Sequence, residues 1–344
     1  MNAVFVSGNG QELAAKAVDL FYRRHPAAVA RYPVGAREKC ADDMRMHLLY
    51  VAGADAVDSL DLLVDYLAWV RGLFVNLGLP TDDLRPSLEC LAEGIEASGG
   101  QRDGLLRRGL EELDRLPLEF TGSACAIGPL AGPAERYLSA LLAADSRTAE
   151  NLVIGAVDGG ISIASVFVDM IAPAMREVGR LWYSRRIGVA EEHYVSAATQ
   201  EILARLYPRV FAAGCRGPVL VATCVEGELH ELGMRMVADL FQLRGWDARF
   251  LGANTPPKAV VAFADQVGAA VVAISAMTAA TVPAVAKQVA LLRASPGGDR
   301  RKILVGGHPF TVDRDLWRRV GADATAADGR DAMAVADGLM AGAA

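Results

Sequence analysis

The sequence predicts a multidomain α and α/β protein: an all-α N-terminal domain (residues 1–116), a four-helix bundle (134–212) and a doubly wound parallel sheet (217–344). Apolar residues recur at helical spacing as far as residue 211, without strand-like alternation. Beyond that point, short apolar runs rich in β-branched residues alternate with amphipathic segments, as in a parallel sheet covered by helices. Glycine and proline concentrate between 117 and 133, which predicts a linker.

The helices are predicted from their apolar stripes. Met44, Leu48 and Val51 share one helix face, and a longer stripe from Ser59 ends at Gly78, a usual helix stop. The predicted helices of the N-terminal domain cover residues 42–51, 59–77, 84–95 and 105–113. Those of the bundle cover residues 136–144, 148–158, 162–182 and 189–207.

The C-terminal part is predicted to contain five strands with helices between them. The strands cover residues 219–222, 248–251, 271–274, 303–305 and, with a weaker pattern, 322–325. The helices cover residues 231–244, 257–267, 282–294 and 331–340. Sheets of this kind bind ligands at the carboxyl ends of their strands. We therefore expect the functional residues in the loops that follow the strands.

The composition argues against several classes of function. The 344 residues carry a net charge of −6 without a basic stripe, which argues against a nucleic-acid surface. The five cysteines are widely spaced without a zinc-binding pattern, and the first residues do not resemble a signal peptide. The apolar segments are too short to span a membrane. We expect a cytoplasmic protein.

The loop after the first predicted strand contains an acid, a histidine and a glycine: Glu228, His230 and Gly233. It is not the glycine-rich pattern of dinucleotide binding. A neutral imidazole is a good ligand for a transition metal, and a carboxylate on its second nitrogen fixes the tautomer. A glycine allows a bulky group to approach the following helix closely. Taken alone, the pattern also fits a surface histidine.

The spacing Glu228-x-His230-x-x-Gly233 resembles the Asp-x-His-x-x-Gly signature of cobalamin-binding domains. The resemblance implies a flavodoxin-like, Rossmann-type sheet in which His230 is the lower axial ligand of cobalt. It also implies that the nucleotide tail of the cofactor lies in the sheet, beside Ser275 and in the space left by Gly306–Gly307. Glu228 departs from the signature, because its side chain is one methylene longer than aspartate.

A second pattern lies in the bundle, where Trp182 is followed ten positions later by the pair Glu192 and His193. Taken alone, it fits a core tryptophan and an acidic helix start. It resembles the light-sensing cobalamin proteins related to CarH, which implies that Trp182 and Glu192 cover the 5′-deoxyadenosyl group of adenosylcobalamin. His193 and Val189 would then lie on the same face. Tyr183 stands where that family has a histidine, so no second histidine ligand is expected there.

The N-terminal domain has no pattern of a winged helix, so a DNA-binding output is not expected. His47, Tyr66 and Arg71 lie on predicted helices among aromatic residues, where they could hold a tetrapyrrole. An ordinary helical bundle explains their spacing equally well. An all-α domain in front of this cobalamin module resembles the photocobilins, which implies a second cofactor, the bilin biliverdin.

These resemblances predict a light sensor rather than an enzyme. Photolysis of the cobalt–carbon bond would change the conformation, alter a light-dependent homo-oligomer or signal to a partner protein. The alternative is a corrinoid methyl-carrier protein of a methyltransferase system, which shares the sheet and His230 but needs an open upper face. A mutase subunit would need a catalytic barrel, and the sequence contains none.

Overall fold

The computed structural model describes residues 10–33, 35–99, 104–118, 128–212 and 214–341. The chain forms two compact units. Unit 1 comprises residues 1–120 with two later segments, 277–283 and 312–316, and unit 2 comprises the rest. The predicted bundle and the predicted sheet domain therefore belong to unit 2, apart from those two segments. Residues 119–127 of the predicted linker lie outside the described residues.

Unit 1 is helical. Its described helices of nine residues or more are α1 (Gly10–Arg24), α2 (Ala36–Ala56), α3 (Leu60–Leu77), α4 (Leu84–Ala97) and α5 (Leu105–Leu113). The four predicted helices are confirmed, and α1 adds a fifth. Ser59 caps α3 by accepting the Leu62 N–H at 3.4 Å, and Gly78 ends it in a left-handed conformation with φ 67°.

Two glycines allow close approaches within unit 1. A Cβ atom on Gly109 of α5 would lie 2.7 Å from Cδ2 of Leu63 on α3. A Cβ atom on Gly53 of α2 would lie 2.1 Å from the carbonyl oxygen of Ala279, which belongs to the segment 277–283. Only a residue without a side chain permits the second contact, because that neighbour is backbone.

The described residues of unit 2 form the predicted bundle of four helices. They are α6 (Ala131–Leu142), α7 (Ser146–Asp158), α8, and α9 (Val189–Val210). The helix α8 runs through Ile163–Ser165, a π-helical stretch at Val166–Ile171, and Ala172–Tyr183. The bundle begins inside the region predicted as a linker. Its large, fully buried side chains include Tyr137, Phe167, Met170, Ile171, Leu203 and Leu206.

The described sheet of unit 2 has five parallel strands in the order β2-β1-β3-β4-β5, which confirms the predicted flavodoxin-like arrangement. The strands are β1 (Val219–Cys224), β2 (Asp247–Phe250), β3 (Val271–Ser275), β4 (Lys302–Gly306) and β5 (Ala324–Ala326). The helices of ten residues or more in this part are α10 (Leu232–Leu243), α11 (Pro257–Gln266), α12 (Val282–Arg293) and α13 (Gly329–Ala341). The strand order reverses between β1 and β3, where such sheets bind ligands.

The helix α10 packs against both parts of unit 2. Met234 and Phe241 join the apolar core of the sheet together with Leu220 of β1. Met236 and Leu240 join the apolar core of the bundle. The helix α10 therefore attaches the bundle to the sheet through apolar contacts, and α13 adds an ion pair between Arg330 and Asp169 of α8 at 2.6 Å.

The longest described helices, which include α9 with 22 residues and α2 with 21, contain charged side chains. Within the described ranges, no helix combines the length and the apolar character that crossing a membrane requires.

Replacement of Asp239 tests the packing of α10 through its pH dependence. One carboxylate oxygen of Asp239 is buried without a hydrogen-bond partner among the described residues, and burial raises its pKa to about 7, against an opposing effect of Arg235. This pKa exceeds that of the unfolded chain, so ionisation removes stability between about pH 4 and pH 7. As the pH rises across this window, the free energy of unfolding of the wild type, measured in urea, should fall by on the order of 1–3 kcal/mol relative to that of Asp239→Asn. If the difference in unfolding free energy between the wild type and Asp239→Asn does not change with pH, the Asp239 carboxylate is not buried as described.

Replacement of Gly53 tests the close approach of α2 to the segment 277–283. The Cβ atom of Gly53→Ala would meet backbone, so we expect the free energy of unfolding to fall by about 1–3 kcal/mol. The matched control is Gly179→Ala on α8, where the new Cβ meets nothing within 4 Å and helix propensity favours alanine by up to about 1 kcal/mol. Equal unfolding midpoints in urea for the two variants would show that the close approach does not exist.

Candidate functional site

The ligand loop, defined as residues 225–231, leaves β1 beside the end of β3. Its first residue, Val225, donates its N–H to the carbonyl oxygen of Ser275 at 3.0 Å, and the N–H of Glu228 returns to the carbonyl of Val225 at 2.9 Å. The loop therefore begins with a tight turn at the reversal point of the sheet.

His230 is exposed and rests on a buried acid. The Glu228 side chain is only 2% exposed, and its Oε1 accepts hydrogen bonds from the His230 backbone N–H at 2.9 Å and from His230 Nδ1 at 2.6 Å. The imidazole itself is 67% exposed. The hydrogen bond that His230 donates to Glu228 raises the pKa of His230 against the opposing effect of burial, and the charge of Glu192 adds to the shift. Because Nδ1 is committed to Glu228, a metal would bind through Nε2.

The β2 loop, defined as residues 252–254, holds the ligand loop on both sides of His230. Asn254 accepts the Gly227 N–H through Oδ1 at 2.8 Å and donates its own N–H to the Glu228 carbonyl at 2.9 Å. Ala253 donates its N–H to Glu231 Oε2 at 3.0 Å. The sequence interpretation missed Asn254. Asn254 has a left-handed φ of 49°, a conformation that asparagine adopts more readily than most residues. An asparagine in the loop after a strand is therefore the sequence signal that could have indicated this turn.

The polar and glycine residues predicted at the strand ends lie next to one another. Ser275 pairs in register with Cys224 of β1 on one side and with Gly306 of β4 on the other. Gly307 has φ 103°, and a Cβ atom there would lie 1.9 Å from the carbonyl oxygen of Ala276. A Cβ atom on Gly233, by contrast, would meet nothing within 4 Å, so the start of α10 faces open space.

The predicted bundle residues lie at the junction of α8 and α9. Glu192 is close enough to His230 for its charge to affect the pKa of the imidazole, and its Oε2 lies 3.4 Å from Nε2 of exposed His193. Trp182 is 40% exposed. Tyr183 is buried, which raises the pKa of its phenol to about 12, so it does not share the exposure of Trp182.

Exposed apolar side chains lie in the ligand loop and at the start of α9. The two most exposed large apolar side chains among the described residues are Leu229 of the ligand loop, at 72%, and Val189 of α9, at 55%. A large planar macrocycle would cover such surface. A corrin fills the four equatorial positions of its metal, so the protein needs to supply only one axial nitrogen, which His230 Nε2 can provide. The residues present therefore fit a corrin with His230 as its protein ligand.

The three residues predicted to hold a bilin bind one another or the backbone within unit 1. His47 Nδ1 lies 2.6 Å from the hydroxyl of Tyr66, and both side chains are buried. Burial lowers the pKa of His47 to about 4. The Arg71 guanidinium donates to the carbonyl oxygens of Leu113, at 2.7 Å, and Leu116. The three predicted residues are thus engaged by protein partners.

Comparison with protein families finds two matches. Residues 218–336 match the family described as B12 binding domain, and residues 133–207 match a second family with the same description. A solved structure of the Methanosarcina barkeri monomethylamine corrinoid protein aligns with a TM-score of 0.52 and 21% identity, and covers 60% of this chain and 98% of that one. This likeness shows a shared fold.

Curated relatives are corrinoid proteins. Dimethylamine corrinoid protein 1 of Methanosarcina acetivorans is 28% identical over 216 residues, which cover 60% of this chain and 99% of the relative. The dimethylamine corrinoid protein of Methanosarcina barkeri is 30% identical over 131 residues, which cover 38% of this chain and 60% of the relative. A corrinoid protein of Desulfitobacterium hafniense is 25% identical over 207 residues, covering 58% and 94% of the two chains.

These matches confirm that the chain carries B12-binding domains and support cobalamin binding. The prediction of a light sensor is wrong, because the relatives are named corrinoid proteins and not photoreceptors. The comparisons give no support to the predicted biliverdin, signalling partner or light-dependent oligomer. The pattern of Trp182, Glu192 and His193 misled the interpretation because a tryptophan and an acid at this spacing do not by themselves specify an adenosyl group.

Replacement of Glu228 tests the acid behind the histidine. Glu228→Gln removes the carboxylate that accepts Nδ1–H, and loss of such a partner of a metal ligand weakens binding by about 10–100-fold. The matched control is Glu226→Gln in the same loop, because Glu226 is exposed and lies 3.5 Å from Lys287. Titration of each apo variant with hydroxocobalamin, followed by absorbance, measures the affinity. Equal affinities for the two variants contradict the role assigned to Glu228.

Proposed function

We propose that this protein is a corrinoid methyl carrier, which receives a methyl group from one methyltransferase partner and passes it to another. The observation that carries the proposal is the exposed His230 imidazole, held through Nδ1 by buried Glu228 inside a matched B12 binding domain. The alignment over 99% of a dimethylamine corrinoid protein supports the same function. When bound, the corrin cobalt supplies the reversible attachment of the methyl group.

On the lower side of the corrin, the proposal assigns His230 as the axial ligand through Nε2. Glu228 fixes the ring orientation and raises the basicity of the imidazole toward a metal. Its burial keeps water from competing for the hydrogen bond. In the same proposal, Ser275 and Gly306–Gly307 border the nucleotide tail, and Gly233 leaves room beside α10.

On the upper side, the proposal assigns Trp182, Val189, Glu192 and His193 to the face opposite His230. Trp182 and Val189 supply exposed apolar surface, and Glu192 supplies a carboxylate within electrostatic range of the imidazole. A methyl carrier has a small upper group and must admit its partners. We therefore assign these residues to shielding the corrin from water rather than to holding an adenosyl group.

In this proposal, catalysis belongs to the partner methyltransferases and this chain is the carrier between them. Two of the relatives are named for dimethylamine. We therefore propose a methylated amine as the class of methyl donor that the first partner demethylates.

Methyl uptake by the loaded protein tests the proposed function. Apo protein is loaded with hydroxocobalamin, reduced with titanium(III) citrate and given methyl iodide in dim light. We expect one methyl group per bound cobalamin, measured with isotopically labelled methyl iodide after gel filtration. His230→Ala should bind cobalamin at least about tenfold more weakly, since it loses the ligand itself.

The matched control is His25→Ala, which removes a histidine of unit 1 outside both matched regions. It should load and accept methyl groups as the wild type does. A wild-type protein that takes up no cobalamin, or that binds it without accepting the methyl group, would refute the carrier function.

A further inference from the structure

Glu231, the residue after His230, joins three segments of unit 2 through one carboxylate. Its Oε2 accepts the N–H of Ala253 in the β2 loop at 3.0 Å. Its Oε1 accepts Nε2–H of Gln200 on α9 at 2.9 Å. Both oxygens are thus engaged, one by the sheet side of unit 2 and the other by the bundle.

The bond to Ala253 belongs to the set that fixes the ligand loop. Together with the two hydrogen bonds of Asn254, it holds the backbone on both sides of His230. These bonds lie within the sheet part of unit 2. They do not depend on where α9 lies.

The bond to Gln200 links the bundle to the ligand loop. Gln200 lies on α9, eight residues beyond Glu192, whose charge acts on His230. Eight residues are about two helical turns, so α9 passes along the ligand loop with Glu192 near the imidazole and Gln200 at Glu231. A partner that approaches the cofactor from the side of Glu192 therefore meets this part of α9.

We propose that Gln200 and Glu231 form a releasable latch that keeps α9 over the ligand loop and opens when a partner reaches the cofactor. The inference rests on the proposed carrier function, which requires such access. Opening breaks the Gln200 bond and leaves the carboxylate on Ala253. The ligand loop therefore keeps its geometry while the helix moves, and His230 stays in place during transfer.

The remaining contacts of α9 and α10 suit a pivot. Met236 and Leu240 join the bundle core through apolar contacts, which tolerate small rotations better than a directed hydrogen bond does. The Arg235 guanidinium lies over the Tyr207 ring, 5.0 Å from its centroid, about two turns beyond Gln200 on α9. The Gln200 bond is thus the directed contact of α9 with the ligand loop, while the ion pair of Arg330 with Asp169 at 2.6 Å holds α8, and the pivot lies towards the C-terminal end of α9.

Gln200→Met tests the latch because methionine keeps the length of the side chain and removes the donor. A hydrogen bond to a charged acceptor is worth about tenfold in an equilibrium, so we expect amide hydrogen exchange along residues 189–200 of the apo protein to rise about tenfold. In protein loaded with aquocobalamin, cyanide should bind the cobalt about tenfold faster. The absorbance spectrum that reports the lower ligand should not change.

Two further variants make the result specific. Glu201→Met places the same side chain at the next, exposed position of α9 and should exchange as the wild type does. Gln200→Lys restores a donor to Glu231 and should return both rates towards the wild-type values. Exchange and cyanide rates in Gln200→Met equal to those of Glu201→Met would overturn the latch. If the wild type binds no cobalamin, the proposed function fails, and the exchange measurement on apo protein still decides whether the latch exists.

Discussion

The hydrogen bond between His230 Nδ1 and Glu228 is the interaction on which the rest of the site depends. A buried carboxylate at 2.6 Å fixes the ring of a largely exposed imidazole and assigns the two nitrogens different tasks. The Glu228 carboxylate accepts hydrogen bonds from the His230 ring and from the His230 backbone N–H. Burying this carboxylate without those two donors would be costly. His230 thus stabilises the buried Glu228 carboxylate, and Glu228 fixes the orientation of the His230 ring. Together they set the direction from which Nε2 can bind a metal.

The surrounding structure keeps this pair in place through backbone contacts. The β2 loop binds the ligand loop before and after His230, and β3 holds its first residue. The parallel register places Ser275 between Cys224 and Gly306, so three strand ends meet at one edge. The imidazole is therefore held by backbone hydrogen bonds of the sheet part, while the bundle is attached through apolar contacts of α10, the Gln200–Glu231 bond and the ion pair of Arg330 with Asp169.

Much of this could be predicted from the sequence, for identifiable reasons. Apolar runs separated by amphipathic helices predict a parallel sheet, and the carboxyl ends of its strands then bring Glu228, His230, Ser275 and Gly306 together. Asn254 and the bond between Gln200 and Glu231 were missed because long-range hydrogen bonds leave no periodic signal. The burial of Tyr183 and the pairing of His47 with Tyr66 likewise depend on tertiary packing. The function was predicted wrongly because residues that suit a corrin do not reveal its upper ligand.

The most direct test of the central claim is electron paramagnetic resonance of the protein loaded with cobalamin and reduced to cobalt(II), with and without ¹⁵N-labelled histidine. If His230 is the lower ligand, the nitrogen splitting of the cobalt signal changes from the ¹⁴N to the ¹⁵N pattern on labelling, and it disappears in His230→Ala. A ¹⁴N splitting that persists in the labelled protein would show that the cofactor's own base binds the metal. That result would contradict the account.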